Sequence, residues 1–420
     1  MANIHFEIDA VDTLMFRDGR PFNQNDAGAS EATSVFPPPP PTLVGAIRAM
    51  FWQALGGTKD DWNKTKLGDG TDWQHPGTLG PLRFGAVQLM LDKAPVFPVP
   101  LHLVEGEDAT GNKALTFLDP RGAFDCDLGP GIQLPSARNT KLDGIKTISD
   151  RWLTLEGMQS ILHGNVPTLD QLITRTKLWS TEPHVGIGID PQSRITTDGR
   201  LYMASHVRMT HGATLHIEVK GWNDAVDFAQ LRPVAGEHRM AFVSALSPGT
   251  ELSLPTLAVG TEGRFCVIAL SPVVPTRTDD GQSRICGMSD RDIVSACLGK
   301  PVPIGGWSSK TTSPVPLRSC IPAGSVWFMK AGAAIPDAIG QAREWGFGQV
   351  LIGKWELEIV NDGCKFNDRE NHRTGCRNPH PPRHRPIDWR AGSARGARTN
   401  YSISVHPRFR RQGCLSGLGG

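Results

Sequence analysis

The first residues of the chain alternate between apolar and polar side chains. Ile4, Phe6 and Ile8 are separated by polar residues in the segment "IHFEID", and a period of two is typical of a strand that buries one face. From residue 42 the period changes, because in "TLVGAIRAMFWQAL" apolar residues recur every three or four positions. This spacing predicts an amphipathic helix, and the five prolines at 37–41 suit the start of such a helix.

Shorter patterns of both kinds follow along the rest of the chain. A turn-rich tip between two strand-like runs predicts a projecting hairpin at residues 184–203. Strand and helix patterns then mix in two successive sets, which favours an α+β fold with two domains at 1–205 and 206–360. The further predicted strands are "LRFGAVQLML", "APVFPVPLHLV", "ATLHIEVKGW", "HRMAFVSAL", "GRFCVIALSPV" and "GSVWFMK", and the further predicted helices are "RWLTLEGMQSIL", "NDAVDFAQL", "DRDIVSACLG" and "AIGQAREWG".

Residues 361–420 differ from the rest of the chain in composition and charge. They contain 12 Lys and Arg against 4 Asp and Glu, a charge of +8, whereas the body has 32 against 38, a charge of −6. Few aliphatic residues and frequent Arg, Pro and Gly cannot build a core, which predicts a disordered basic tail. Cys376, His380 and His384 lie there in a C-x3-H-x3-H pattern, but the preceding Cys364 is too distant for a usual zinc site.

The overall composition is that of a globular protein. The chain has 420 residues, of which 39% are hydrophobic and 20% charged, enough for two or three cores. Its first residues, "MANIHFEIDA", lack the basic and apolar regions of a signal peptide. The most apolar stretch, "FCVIALSPVV", is shorter than the roughly 18 residues that span a bilayer. We therefore expect a cytoplasmic protein without a membrane segment, whose eight cysteines are reduced.

Because the body is acidic, affinity for nucleic acid must come from local clusters of charge.

A charged loop follows the first predicted strand. The segment "DTLMFRDGRPF" places Arg17 and Arg20 on either side of Gly19. Glycine permits a tight turn, and arginine pairs well with phosphate groups. A solvated surface loop, or an internal ion pair from Asp12 or Asp18 to one of the arginines, would explain the same residues.

A glycine-rich segment near residue 350 is the second candidate. "GFGQVLIGKW" contains G-x4-G-K, but Trp355 stands where a phosphate-binding P-loop needs Ser or Thr. An ATP site is therefore not expected. Glycines that bring bare main chain close to a ligand remain one explanation, with Gly346, Phe347, Gly348 and Lys354 near the RNA backbone, and an ordinary helix end is the other.

Histidine and tryptophan supply the remaining candidates. His184 precedes a glycine-rich strand, and histidine serves as the base in metal-independent ribonucleases. The body lacks the H-x-E, H-E-x-x-H and close cysteine-pair patterns of metal enzymes, so no metal and no other cofactor is expected. Trp307, near Lys310, suits a platform for base stacking, and packing in an interface is an equal alternative.

Seven motifs in one order resemble a known family. The chain resembles the third subunit of the Cmr complex, a RAMP-superfamily protein of type III-B CRISPR effectors, over about residues 6–357. No single motif is specific, but their order is. The motifs are "DTLMFRDGRPF", "FPPPPPTLVGAIRAMF", "EPHVGIGIDPQSRITTDGRLYM", "AGEHRMAFV", "PIGGWSSK", "IPAGSVWF" and "GFGQVLIGKW".

This resemblance implies a fold and a role. The fold is a pair of ferredoxin-like (RRM-like) domains with insertions, and the role is to bind the repeat-derived 5′ tag of the guide crRNA and cap the foot of the complex. The implied protein partners are the large polymerase-like subunit and the first backbone RAMP subunit, and the family is regarded as non-catalytic. The residues expected to contact RNA are Arg17, Gly19, Arg20, Arg48, His184, Arg194, Lys310, Gly346, Phe347, Gly348 and Lys354.

Two other functions fit the same residues. A metal-independent endoribonuclease that matures guide RNA would use His184 as its base. A scaffold that touches only protein would need none of the proposed RNA contacts.

Overall fold

A computed structural model of the chain describes ten segments, which are residues 3–18, 30–57, 64–126, 129–190, 192–224, 229–247, 254–257, 263–277, 283–308 and 310–355. The α-helices in them are α1 (Pro40–Ala54), α2 (Lys64–Leu67) and α3 (Leu155–Leu162). The strands are β1 (Ile4–Ala10), β2 (Ser30–Ala32), β3 (Arg83–Phe84), β4 (Gln88–Leu91), β5 (Ala94–Pro98), β6 (Leu103–Glu107), β7 (Lys113–Cys126), β8 (Gly129–Ala137), β9 (Asp143–Thr147), β10 (Arg151–Leu153), β11 (Leu172–Thr174), β12 (Trp179–Ile189), β13 (Thr196–Met209), β14 (Ala213–Lys220), β15 (Ala229–Pro233), β16 (Met240–Ala245), β17 (Phe265–Ala269), β18 (Thr276–Arg277), β19 (Ser283–Arg284), β20 (Ile293–Cys297), β21 (Val302–Ser308), β22 (Ser313–Cys320), β23 (Val326–Met329) and β24 (Val350–Lys354).

The largest sheet is built around the first strand. Its order is β11-β10-β5-β4-β14-β1-β16-β15, with β3 alongside β14. Phe6 of β1 lies opposite Ile217 on one side and Ala245 on the other. Phe6 and Ile8 are buried, so the period-two pattern of the first residues is confirmed.

Helix α1 covers this sheet. Pro40 and Pro41 occupy its first turn, where a missing N–H costs nothing. The helix buries an apolar face that packs on the sheet, since Phe51 lies 5.9 Å from Phe6 and stacks on Trp222 at 4.1 Å between ring centroids. The predicted helix is therefore confirmed, with the proline run as its lead-in.

A second, four-stranded sheet has the order β20-β23-β17-β24 with antiparallel pairs. All five residues of β17 are buried. The predicted helix at 290–299 is wrong because its centre forms β20, and 338–346 forms turns and bridges instead of a helix. Pairing with β23 favours the branched side chains of β20 in a strand over their weak helical period.

Two other helix predictions have mixed outcomes. In "RWLTLEGMQSIL" the first three residues form β10, and α3 begins only after Thr154, whose hydroxyl accepts a hydrogen bond from the Gly157 amide at 3.1 Å. In "NDAVDFAQL" residues 223–224 are irregular, residues 225–228 lie outside the described segments, and residues 229–231 form the start of β15.

Strands of the largest sheet continue beyond residue 205, where the division between the two domains is predicted. That residue lies inside β13, and β14 and β16 pair with β1 in the first sheet. The strands of the second sheet begin with β17. Strands and a few helices are mixed, as an α+β fold requires, with 12% of the described residues helical when short 3-10 helices are included. The two domains, and their ferredoxin-like character, stay predictions, and the predicted tail at 361–420 lies outside the described residues.

Four smaller β units accompany these sheets in the described part of the chain, and the smallest is the β18–β19 pair. Strands β12 and β13 form the predicted hairpin, which is thereby confirmed, and β2 runs parallel to β13. Strands β21 and β22 form a second hairpin. A four-stranded sheet has the order β8-β7-β6-β9. None of the described helices combines the length and the apolar character needed to cross a bilayer.

Candidate nucleic-acid interface

The charged loop after β1 runs along the base of the β12–β13 hairpin. Leu14 and Val207 exchange two backbone hydrogen bonds of 2.8 Å. The loop then pairs with residues 33–35, where Arg17 forms a bridge with Ser34 and the Asp18 amide donates to Thr33 at 2.9 Å. Arg17 is exposed. Arg17 thus lies at the surface beside the hairpin, and its contact with RNA stays a prediction, whereas Gly19 and Arg20 lie outside the described residues.

Asp12 of this loop pairs with arginines from outside the loop. Its carboxylate lies 2.9 Å from Arg208 of β13 and 3.5 Å from Arg239. Arg208 also donates to Glu182 of β12 through two nitrogens, at 2.5 and 3.2 Å. These hydrogen bonds lower the pKa of Glu182 to about 2 and raise the pKa of Arg208. Asp12 thus pairs with arginines outside its loop, and the alternative of an ion pair from Asp12 or Asp18 to an arginine of the loop stays open, because Arg20 lies outside the described residues.

Two stacked histidines lie next to these ion pairs. His184 and His206 have ring centroids 3.9 Å apart and an interplanar angle of 12°. His184 Nε2 lies 2.9 Å from Glu182, and the buried His206 ring lies 3.2 Å from Glu237 and 3.0 Å from the Thr13 hydroxyl. Burial, followed by the neighbouring His184, lowers the pKa of His206. The pair therefore ties β12, β13 and the charged loop together.

The hairpin projects apolar side chains on one face. Val185, Ile187 and Ile189 alternate along β12 and are 64%, 52% and 55% exposed. On the other face Tyr202 lies over Gly186, where an added Cβ would come within 2.1 Å of the ring. Arg194 is exposed at the tip, with φ of +56°. The hairpin thus combines branched apolar side chains with a cation at its end.

Arg48 does not face solvent, and the prediction that it lies off the buried side of α1 is wrong. It is 6% exposed and donates from Nη2 to the carbonyl oxygens of Leu67 at 2.8 Å and Thr78 at 3.2 Å. Its guanidinium lies 5.4 Å from the ring centroid of Trp345. Burial lowers its pKa to about 10. The long side chain reaches past the apolar stripe to carbonyl acceptors that the helix sequence does not reveal.

The glycine-rich segment packs against the backbone of other segments of the chain, and the amides of its two turn glycines are already hydrogen-bonded. Gly346 and Gly348 have φ of +84° and +65°, and added Cβ atoms would lie 2.2 Å from the Gly85 oxygen and 1.7 Å from the Ile339 oxygen. Their amides donate to Arg343 and Pro272 carbonyls at 3.1 and 2.9 Å. The expectation that these amides meet a phosphate is wrong, because close backbone packing already uses them.

Phe347 between these glycines belongs to the core. Its ring is fully buried and lies 4.8 Å from that of Trp73. The expected contact of this side chain with RNA is therefore wrong as well. A buried aromatic flanked by two turn glycines accounts for the conformation of the motif.

The remaining candidates lie on other elements. Lys310, in the β21–β22 turn, is exposed and donates to the Asp69 carbonyl oxygen at 2.9 Å. Lys354 is exposed at the end of β24, beside Gly164. The structure thus places Arg17 on a loop that is hydrogen-bonded to β13, His184 on β12 of the same hairpin, and Arg194 at its tip.

The sequence indicated Asp12 as a carboxylate for an ion pair, but it did not identify Arg208, Arg239 and Glu182 beside the histidines. Asp12, Arg208 and Arg239 come from distant parts of the chain, and no local pattern connects them. A signal existed only for Glu182, because the period of two in "TEPHVGIG" puts it on the same face as His184. Among the described residues, no group of three or more His, Cys, Asp or Glu is placed to hold a metal ion.

Comparison with known proteins gives one family. The model of the CRISPR-associated protein family Cas_Cmr3 matches residues 6–355. No curated protein matches the chain.

Solved structures show more distant likenesses. A chain of a type III-B Cmr-beta complex bound to cognate target RNA and AMPPnP is 15% identical, with 77% of this chain and 86% of that chain covered and a TM-score of 0.44. A chain of the same kind of complex bound to cognate target RNA is 16% identical, with the same coverage and TM-score. A chain of a Csm3–Csm4 subcomplex of the type III-A interference complex is 10% identical, with 84% and 99% covered and a TM-score of 0.37.

Proposed function

We propose that this chain binds the 5′ repeat-derived tag of the guide crRNA. The premise is that the chain belongs to the Cas_Cmr3 family of CRISPR-associated proteins and is thus a subunit of a type III CRISPR effector. In this role it caps the foot of a type III-B complex without catalysing a reaction. Its protein partners are the large polymerase-like subunit and a backbone RAMP subunit. We place it in the cytoplasm.

One observation carries the proposal. Exposed Arg17 lies on a segment that is hydrogen-bonded to the base of a projecting hairpin, and the tip of that hairpin carries exposed Arg194. Guanidinium groups bind phosphate oxygens in a bidentate manner. Single-stranded RNA exposes unstacked bases, and these pack on apolar and aromatic side chains. Val185, Ile187 and Ile189 offer such a surface between the two arginines.

The fold of the second sheet supports the proposed pair of ferredoxin-like domains. Numbered along the chain, its four strands have the spatial order 2-3-1-4 with antiparallel neighbours. A βαββαβ unit would produce this order if helices joined its strands. The described connections contain turns, the short β18–β19 pair and the β21–β22 hairpin instead. The insertions would then replace the usual helices.

The test is retention of guide RNA by the Arg17→Ala, Arg20→Ala double variant. Each lost phosphate contact should lower the magnitude of the slope of log affinity against log salt by about 0.7 for single-stranded RNA. Arg151→Ala is the matched control, because Arg151 is exposed on β10 of the large sheet. An unchanged affinity and slope in the double variant, with the control also unchanged, would remove the loop from the binding site.

A second function is favoured by the histidine pair. His184 hydrogen-bonds Glu182 at 2.9 Å and is partly exposed, as a general base for RNA cleavage would be. Incubation of the protein with precursor RNA in EDTA separates the two functions. Specific cleavage that disappears in His184→Ala would overturn the non-catalytic proposal, and binding without cleavage would support it. A scaffold that touches only protein would fail to crosslink to the 5′ tag.

A further inference from the structure

The β21–β22 hairpin is held by a segment that lies 230 or more residues earlier in the chain. Trp73 Nε1 donates to the Gly305 oxygen at 2.8 Å, a contact that spans 232 residues. Gln74 Nε2 donates to the Pro316 oxygen at 2.5 Å. Lys310, in the hairpin turn, donates to the Asp69 oxygen. Both strands and the turn are therefore tied to residues 69–74.

Residues 69–74 are in turn fixed by buried groups. Arg48 donates to the carbonyl oxygens that flank this segment, at Leu67 and Thr78. Trp345 Nε1 donates to the Thr78 hydroxyl at 3.1 Å, and the Trp73 ring packs against Phe347. These contacts restrain the hairpin, so the hairpin loses little conformational freedom when a partner binds it.

This hairpin carries a solvent-exposed tryptophan side chain. Trp307 is 65% exposed and Leu317 is 49% exposed. Leu317 covers Gly305, where an added Cβ would lie 2.9 Å from the leucine Cδ2. Gly305 and Trp307 are two positions apart on β21 and share its outer face. A register shift between Ile304 and Gly306 sets this geometry, as bulges do where a side chain is redirected.

The outer face of the hairpin is uncharged. The segments 302–308 and 313–317 contain no Asp, Glu, Lys or Arg. Arg318 donates inward, to the Pro275 oxygen at 3.2 Å and to Gln341 at 3.0 Å. RNA binding sites combine aromatic side chains with cations along the backbone path. The two strands provide no such cation, and Lys310 in the turn donates to the Asp69 oxygen. An exposed Trp beside uncharged apolar residues is instead typical of the centre of a protein–protein interface.

The edges of the two strands are poorly suited to pairing with a strand of a partner, which leaves the outer face for docking. Proline cannot donate a backbone hydrogen bond, and it occupies position 303 of β21 and positions 314 and 316 of β22. Prolines on a strand hinder the addition of a further strand. A partner is therefore accommodated on the outer face.

We propose that the outer face of the β21–β22 hairpin docks onto an uncharged apolar surface of another protein subunit of the effector, with Trp307 as the anchor and Leu317 beside it. The proposal rests on the chain being an effector subunit, and it does not depend on binding of the guide tag.

The test uses the effector assembled on its guide RNA. Trp307→Ala should raise the apparent dissociation constant of the chain from the complex at least tenfold, as loss of an anchor residue does. Trp307→Phe should restore part of the loss. Leu231→Ala is the matched control, because Leu231 is a similarly exposed residue of β15. Native mass spectrometry of the complexes gives the retained fraction, and thermal melting of the free chain should not change.

Salt separates this contact from binding to RNA. Association through an apolar face should persist or strengthen in ammonium sulfate, whereas a contact with phosphates weakens as salt rises. Unchanged assembly with weaker guide binding in Trp307→Ala would overturn the proposal in favour of base stacking. Unchanged assembly and unchanged guide binding would also overturn it. Failure of the tag-binding proposal is seen separately, in the Arg17→Ala, Arg20→Ala variant of the same complex.

Discussion

Replacing Arg48 by methionine separates a structural role from a role in RNA binding. The guanidinium donates to two buried carbonyl groups, at Leu67 and Thr78. Hydrogen bonds to a charged group contribute about 1.5–3 kcal/mol each. Burial lowers the pKa of Arg48 to about 10, so the charge is costly to hold in the folded chain and the net value of each bond belongs at the low end of this range. The two bonds together put the expected loss of stability in Arg48→Met at about 3 kcal/mol.

The assay is urea denaturation followed by far-UV circular dichroism, with guide affinity measured per folded molecule. Methionine keeps an apolar side chain over the Trp345 ring but has no donor, so the loss reports the two hydrogen bonds. Arg151→Met, at an exposed site, should stay within about 0.5 kcal/mol of the parent. Guide affinity of Arg48→Met should not change, because the guanidinium points at protein oxygens. Unchanged stability together with weaker guide binding would refute this reasoning.

Two further predictions concern backbone packing and pH. Gly348→Ala should destabilise the chain by about 3 kcal/mol or more in thermal melting, because its Cβ would lie 1.7 Å from the Ile339 oxygen. Gly111→Ala, at φ +81° with open space around it, should cost only about 1–2 kcal/mol, and equal costs at both sites would contradict the packing argument. The pKa of Glu182 is lowered to about 2, mainly by its hydrogen bond from Arg208, so its contribution is present above the unfolded pKa of 4.5 and lost as pH falls from there towards 2. The protection of amides at the hairpin base, measured as the intrinsic exchange rate at each pH divided by the observed rate, should therefore fall between pH 5 and pH 3, and Glu182→Gln should abolish this dependence; the same fall in that variant would assign it to another group.

The parts of the fold that follow from local periodicity were predictable. Alternation in "IHFEID" predicted β1, three-to-four spacing predicted α1, and turn residues between strand-like runs predicted the β12–β13 hairpin. In each case a buried face repeats with the period of its element, and this is a local property of the chain. The predictions at 290–299 and 338–346 failed because short apolar runs fit either element, and the partner strand decides between them.

The candidate site was predictable only where exposure follows from the loop itself. Arg17 lies beside a short bridge, and its polar neighbours already indicate a surface position. Arg48 is as polar as Arg17, yet it is buried because two carbonyl oxygens lie within reach of its side chain. The amides of Gly346 and Gly348 are used by Arg343 and Pro272, partners that the motif does not contain.

The sequence by itself determined the family, through the order of seven motifs, and the first strand, the first helix and the hairpin, through their periods. Only the tertiary structure decided which charged groups face solvent, since that depends on acceptors contributed by distant segments. It joined Asp12 to Arg208 and Glu182 at the hairpin base, and it turned Trp307 outward while turning Arg48 inward. The physical reason is that the hydrophobic period depends only on residues close together in the sequence, whereas the partner of a polar group depends on how distant segments pack.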